Sequence, residues 1–195
     1  MTGSPWVWLL SGPNGAGKST YAPILSSDVD EIVKPDELAY SLSPSAPERA
    51  AVKSARLAIN RIRHLLEERR SFAVETTLSG RFHLEIATRA RSAGWNVGII
   101  YIGLRSSNLA VTRVGLRHLM GGHYVPSVDV RRRYSRSLNN LAEIYPTANR
   151  VLVLDNSSAR QPMKRILEAN DGQIVFKSRR LPKWLRDSLP SVLER

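Results

Sequence analysis

Short apolar runs punctuate the chain, and each breaks off into polar or glycine-bearing sequence. "WVWLLSG" (6–12) comes first, rich in β-formers. "DEIVKPD" (30–36), "SFAVETT" (71–77), "NVGIIYIGL" (96–104) and "RVLVLDNS" (150–157) follow, and "GQIVFKS" (172–178) reads as an edge strand. Brief runs without polar alternation predict strands buried on both faces. Between them the spacing turns helical. Over 55–66 the residues Ala55, Ala58, Ile59, Ile62, Leu65 and Leu66 share one face, while Arg56, Arg61, Arg63 and Glu67 fall elsewhere. Segments 81–93, 106–120 and 127–145 also read as helices. Strands alternating with helices predict an α/β domain, with a mostly parallel sheet covered by helices on both faces. The tail "LPKWLRDSLPSVLER" predicts a short outer helix broken at Pro190.

Length and composition narrow the picture. A chain of 195 residues with no repeat or long linker suits one domain. We expect a core over 6–157, a lid over 113–136 and a C-terminal extension over 172–195. The absence of cysteine excludes a disulfide framework and thiolate zinc sites. The N-terminus has neither a basic leader region nor an apolar run long enough to span a membrane, so the expectation is a soluble, cytoplasmic protein. The net charge is +12, and arginine supplies 23 of the 29 basic residues against six lysines. That excess suggests phosphate-bearing partners, with a solvated basic surface as the equal alternative.

The chemistry begins at "LLSGPNGAGKST" (9–20). Gly12-x-x-x-x-Gly17-Lys18-Ser19 is a complete P-loop pattern. Glycines let successive backbone N–H groups converge on phosphate, and the helix that follows points its positive end at the anion. Lys18 brings a point charge to the β- and γ-phosphates, and the Ser19 hydroxyl is a magnesium ligand. Gly12, Pro13, Asn14, Gly15, Ala16, Gly17, Lys18, Ser19 and Thr20 are therefore the expected cradle for ATP or GTP with Mg²⁺.

Ligands of open α/β sheets bind beyond the carboxyl ends of the strands. Asp36 ends the second run and is either a base for an attacking hydroxyl or a helix N-cap. Glu75, with Thr76 and Thr77, ends the third and either contacts substrate hydroxyls or pairs with an arginine. Asp155 and Asn156 end the fifth, as a magnesium ligand or as an ordinary exit turn. The stretch "RVGLRHLMGGHYVPSVDVRRRYSRSLNN" (113–140) places Arg113 and Arg117, then Arg132 and Arg136, four apart on successive helices, with Gly121-Gly122 between. An arginine lid that clamps a phosphoryl group is the sharper reading, and a basic solvated face is the plainer one. His123 lacks any partner at ligand spacing, which favours a structural or phosphate-contacting role.

"GPNGAGKST", "KPDELA", "VETTLSG", "YIGLRSSNLAVTRVGLRHLMGGHYVP" and "VRRRYSRSLNNL" occur in that order from Leu9 to Asn156. Together they resemble the zeta-toxin group of small P-loop kinases. The resemblance implies that ATP and magnesium bind at the loop and that Asp36 deprotonates the acceptor hydroxyl. Glu75 would contact substrate. Arg117 and arginines of the run Arg131–Arg133, with Arg132 on the reacting phosphoryl and Arg133 on the nucleotide, would form the lid, and Asn156 would lie near the base. It also implies UDP-N-acetylglucosamine as a possible acceptor and a small antitoxin as a possible partner. Two rivals remain open: a polynucleotide 5′-hydroxyl kinase, motivated by the charge, and a nucleotide-gated binding protein without turnover.

Overall fold

The structure is a computed structural model that describes residues 3–43, 47–122 and 124–193, without the side chains of Asp36, Pro47, Glu48 and Ala51. His123 lies outside the described residues. The strands are β1 (Trp6–Ser11), β2 (Glu31–Val33), β3 (Phe72–Thr76), β4 (Asn96–Gly103), β5 (Arg150–Asp155), β6 (Lys164–Asn170) and β7 (Gln173–Lys177). They form one sheet in the order β2-β3-β1-β4-β5-β6-β7. Pairing is parallel from β2 through β5 and antiparallel for β6 and β7. The helices are α1 (Lys18–Leu25), α2 (Pro35–Leu42), α3 (Ala51–Glu67), α4 (Phe82–Ser92), α5 (Ser107–Leu119), α6 (Ser127–Ile144), α7 (Lys183–Ser188) and α8 (Pro190–Leu193). The result is an α/β domain with a mostly parallel sheet, as the alternation predicts.

Side chains alternate across the sheet and so fill two cores. Val7, Leu9, Val97, Ile99 and Tyr101 face α3, α4, the second half of α6, and α7. Leu10, Ile100 and Ile102 face α1, α5 and the first half of α6. Helix α6 belongs to both, with Val130 and Tyr134 in one core and Leu141 and Ile144 in the other. On α3 the buried stripe is Ser54, Ala58, Ile62 and Leu65. Ala55, expected on that stripe, is exposed, because the turn of the helix buries Ser54 instead.

Two elements exceed the sequence reading. Strand β6, "KRILEAN", was not foreseen, since it carries basic and acidic residues among its apolar ones. It forms a hairpin with β7 whose turn residues Asp171 and Gly172 both have positive φ, 46° and 80°. Asp-Gly is the dipeptide that such a two-residue turn favours, so "NDGQ" held the signal. Helix α2 begins at Pro35, which suits the first helical position because its missing N–H would be unpaired there anyway. Pro190 does not merely interrupt the tail; it starts α8. Among the described residues, no helix is long and apolar enough to cross a membrane.

Candidate active site

Strand β1 is the centre of the parallel array and delivers the glycine loop. Gly12 (φ 141°), Gly15 (φ 74°) and Gly17 (φ 97°) all adopt backbone conformations that other residues resist. At Gly12 the constraint is also steric, since a Cβ there would lie 2.1 Å from the carbonyl oxygen of Ile102. Helix α1 starts at Lys18, so its free N–H groups open into the loop. The Lys18 ammonium donates to the carbonyls of Gly12 (2.9 Å) and Pro13 (3.2 Å), and its side chain is nearly buried. Pro13, Asn14 and Ala16 are buried in the loop, while Ser19 and Thr20 are exposed on the first turn of α1. The side-chain oxygen of Asn14 is buried with no hydrogen-bond partner among the described residues.

Register brings the third strand's carboxylate to this loop. Leu10 pairs with Glu75 and Ser11 with Thr76 across β1 and β3. The Ser19 hydroxyl donates to Glu75 Oε1 at 3.0 Å. Lys18, Lys34, Glu37, Glu75, Thr76, Thr77, His83 and Arg133 line one cleft of about 180 Å³. Lys34 is tied to Glu37 at 2.8 Å. A wider groove runs past Ser19, Glu37, Tyr40, Arg117 and Met120. Asp36 stands in the first turn of α2 between Pro35 and Glu37; its side chain lies outside the described residues.

The arginines divide. Arg133 lines the cleft, and Arg117 lines the groove beside Ser19. Arg132 stands apart in this conformation: its guanidinium is half-exposed and pairs with Asp129 one turn earlier at 2.7 Å. Arg131 is held by Asn108 and Ser107. Arg113, on the same helix as Arg117, packs against the loop, with Nη1 3.5 Å from the carbonyl of Gly15. Helices α5 and α6 are rooted in the core by Val114, Val130 and Tyr134. The Tyr134 hydroxyl donates to the carbonyl of Leu104 at 2.7 Å, and burial pushes its pKa up to about 12. The part of the expected lid that stands clear is its far end, where Leu119, Met120 and Tyr124 are exposed.

Asn156 lies against the phosphate loop. Its amide donates to the carbonyl of Ala16 at 2.8 Å and accepts from the N–H of Met163 at 3.3 Å, bracing the loop from behind. Asp155 accepts from the backbone N–H of Ser157 at 3.2 Å and from the Ser157 hydroxyl, which is the exit-turn reading. His83 was not singled out from sequence. Its only signal was a histidine in the first helical turn after the strand end "VETT". Its Nδ1 lies 3.1 Å from the Thr76 hydroxyl, and burial lowers the imidazole pKa to about 4.

A magnesium ion fits this donor set. Ser19 and Glu75 place hard oxygen donors side by side at the start of α1. Among the described residues no group of three or more acidic or imidazole side chains forms a complete cage. Magnesium commonly takes one or two protein oxygens together with phosphate and water.

Comparison with known proteins agrees with this geometry. The family model described as zeta toxin matches residues 1–161. An uncharacterized protein of Haemophilus influenzae is 29% identical over 123 residues, which are 63% of this chain and 88% of that one. The fold is shared with the structure of the AvrRxo1-ORF1:-ORF2 complex with ATP (TM-score 0.70, 17% identity), covering 88% of this chain. This chain spans only 60% of that one. It is shared also with the PezAT chromosomal toxin-antitoxin system of Streptococcus pneumoniae (TM-score 0.63, 12% identity), covering 100% of this chain and 84% of the other. With that family model covering residues 1–161, well over half of its length, the chain belongs to the zeta-toxin family.

Proposed function

We propose that the protein is an ATP-dependent kinase that transfers the γ-phosphoryl group to a hydroxyl of a small molecule, with UDP-N-acetylglucosamine as the leading acceptor. The observation that carries the reading is the shared cleft. Lys18 of the phosphate loop, Glu75 and Arg133 line the same space, so a nucleotide on the loop and an acceptor in the cleft meet at one point. Such convergence supplies the positioning on which phosphoryl transfer depends.

In this reading the backbone N–H groups of residues 12–19 hold the phosphates, and the Lys18 ammonium exchanges its carbonyl partners for phosphate oxygens. Ser19 and Glu75 would hold a magnesium ion, which would supply charge neutralisation to the nucleotide phosphates. Asp36 takes the proton of the acceptor hydroxyl. The freed oxygen bonds to the γ-phosphorus, the bond to the β–γ bridging oxygen breaks, and ADP leaves. Arg133 from the cleft and Arg117 from the groove balance the charge on the transferring group. Arg132 joins them only by exchanging Asp129, its neighbour on the same helix, for phosphate through a change of side-chain rotamer. Family membership also supports a small antitoxin protein as partner.

The test is transfer from labelled ATP and Mg²⁺ to UDP-N-acetylglucosamine, other UDP-sugars, nucleosides and 5′-hydroxyl oligonucleotides. Label on a UDP-sugar is the expected result. Asp36→Asn should lower transfer at least about 100-fold while ATP affinity stays within about threefold, the scale of a lost general base. Retained turnover in that variant overturns the role of Asp36. Label on oligonucleotides alone replaces the small-molecule acceptor with a nucleic-acid end, the reading that the +12 charge favours.

A further inference from the structure

His83 lines the cleft that the kinase reading gives to the acceptor, and hydrogen-bond bookkeeping assigns its tautomer. The Thr76 hydroxyl is nearly buried and has two partners among the described residues. It accepts from the N–H of Leu78 at 2.9 Å and lies 3.1 Å from His83 Nδ1. If His83 Nδ1 carried the proton, Thr76 would accept twice and its own hydroxyl hydrogen would have no acceptor, a costly arrangement when buried. If Thr76 donates to Nδ1, the Thr76 hydroxyl and Nδ1 are both satisfied. The imidazole proton then resides on Nε2, on the ring edge opposite Thr76. His83 lines the same cleft as Lys18, Glu75 and Arg133, and Nε2 makes no hydrogen bond among the described residues.

We propose that His83 is a specificity-determining residue, which presents a neutral Nε2–H donor to an oxygen of the acceptor, a hydroxyl or amide carbonyl beside the hydroxyl that is phosphorylated. The proposal rests on the kinase reading above. The surrounding chemistry makes this donor distinctive. Lys18, Lys34 and Arg133 bring positive charge to the same cleft, and Glu37 and Glu75 bring negative charge. A neutral donor among them can hydrogen-bond an uncharged oxygen without bringing further charge to the cleft. Burial holds the ring in its neutral form across the physiological range, with a pKa of about 4. The backbone of β3 orients it further: Thr76, its hydrogen-bond partner, follows Glu75 directly, so acceptor recognition and the phosphate loop share one rigid strand end.

Two substitutions separate the ring's two edges. Asn at position 83 reproduces the Nδ1 edge, keeps an acceptor for Thr76, and removes the donor from the cleft. Gln reaches the Nε2 position and restores an N–H there. Initial rates with labelled ATP are measured for wild type, His83→Asn and His83→Gln on whichever acceptor of the UDP-sugar and nucleoside panel wild type labels. Asn should raise the acceptor KM about tenfold with kcat within about twofold, since one hydrogen bond is at stake, and Gln should recover at least half of that loss. Nitrogen-15 spectra of histidine-labelled protein should show the Nε2–H tautomer. An unchanged acceptor KM in His83→Asn, or an Nδ1–H tautomer, overturns the assignment and leaves the kinase intact. Absence of label from wild type on every acceptor removes the kinase reading and this proposal together.

Discussion

At the scale of single residues the phosphate loop shows how little freedom the motif allows. Gly12 is held by two independent constraints, a φ of 141° and a backbone oxygen 2.1 Å from where a Cβ would stand. That oxygen belongs to a neighbouring strand and cannot yield without opening the sheet. Gly12→Ala should therefore destabilise the fold by about 2–4 kcal/mol, strain and overpacking together, which urea denaturation would read. A cost below 1 kcal/mol, with about 1 kcal/mol as the usual penalty of an ordinary mutation, would show that β4 gives way. The motif identifies this residue from sequence, but not its reason, because Ile102 lies 90 positions away in the chain.

Among elements, the informative pairing is the loop with the exit of β5. The register places Gly103 beside Asp155, and the N–H of Asn156 donates to the carbonyl of Gly103 at 3.0 Å. Its side chain then closes on the buried carbonyl of Ala16. Removing the amide leaves that carbonyl unpaired and frees the back of the loop. Asn156→Ala should cost about 1–3 kcal/mol of stability and weaken ATP binding, to be followed by equilibrium unfolding and by nucleotide titration. Unchanged values in both would show that the brace contributes nothing. The spacing of apolar residues foretold the strands and their helical covers. It could not foretell β6, whose charged positions obscure a half-buried strand, or the bracing role of Asn156, which depends on which strand lies alongside.

For the whole molecule, the C-terminal segment completes one of the two cores. Trp184 is almost fully buried, lies tilted against Tyr101 (centroids 5.9 Å apart), and occupies the space that a side chain at Gly103 would need. Its indole N–H has no partner among the described residues. The ring's volume, not its polar atom, is what the core uses. Trp184→Ala should cost about 3–5 kcal/mol and lower Tm by about 10 °C in a chain of this length. Trp184→Phe, which keeps part of the ring volume, should cost about 1–3 kcal/mol, less than the alanine change. Equal losses in the two variants, measured by thermal melting, would contradict that division.

The sequence by itself determined the chemistry that is local in the chain. The nine residues from Gly12 to Thr20 read as an anion cradle because the glycines, the lysine and the helix start that such a loop needs are neighbours in sequence. The alternation of short apolar runs with helical spacing determined an α/β sheet with both faces covered, because burial periodicity is a property of each segment alone. Only the tertiary structure decided which strand-end residues meet. The β1–β3 register brings Glu75 to Ser19, the course of α6 sends Arg133 into the cleft and leaves Arg132 with Asp129, and the Thr76 bond sets the face that His83 presents. Those outcomes depend on strand order and helix rotation, which arise from packing between segments far apart in sequence.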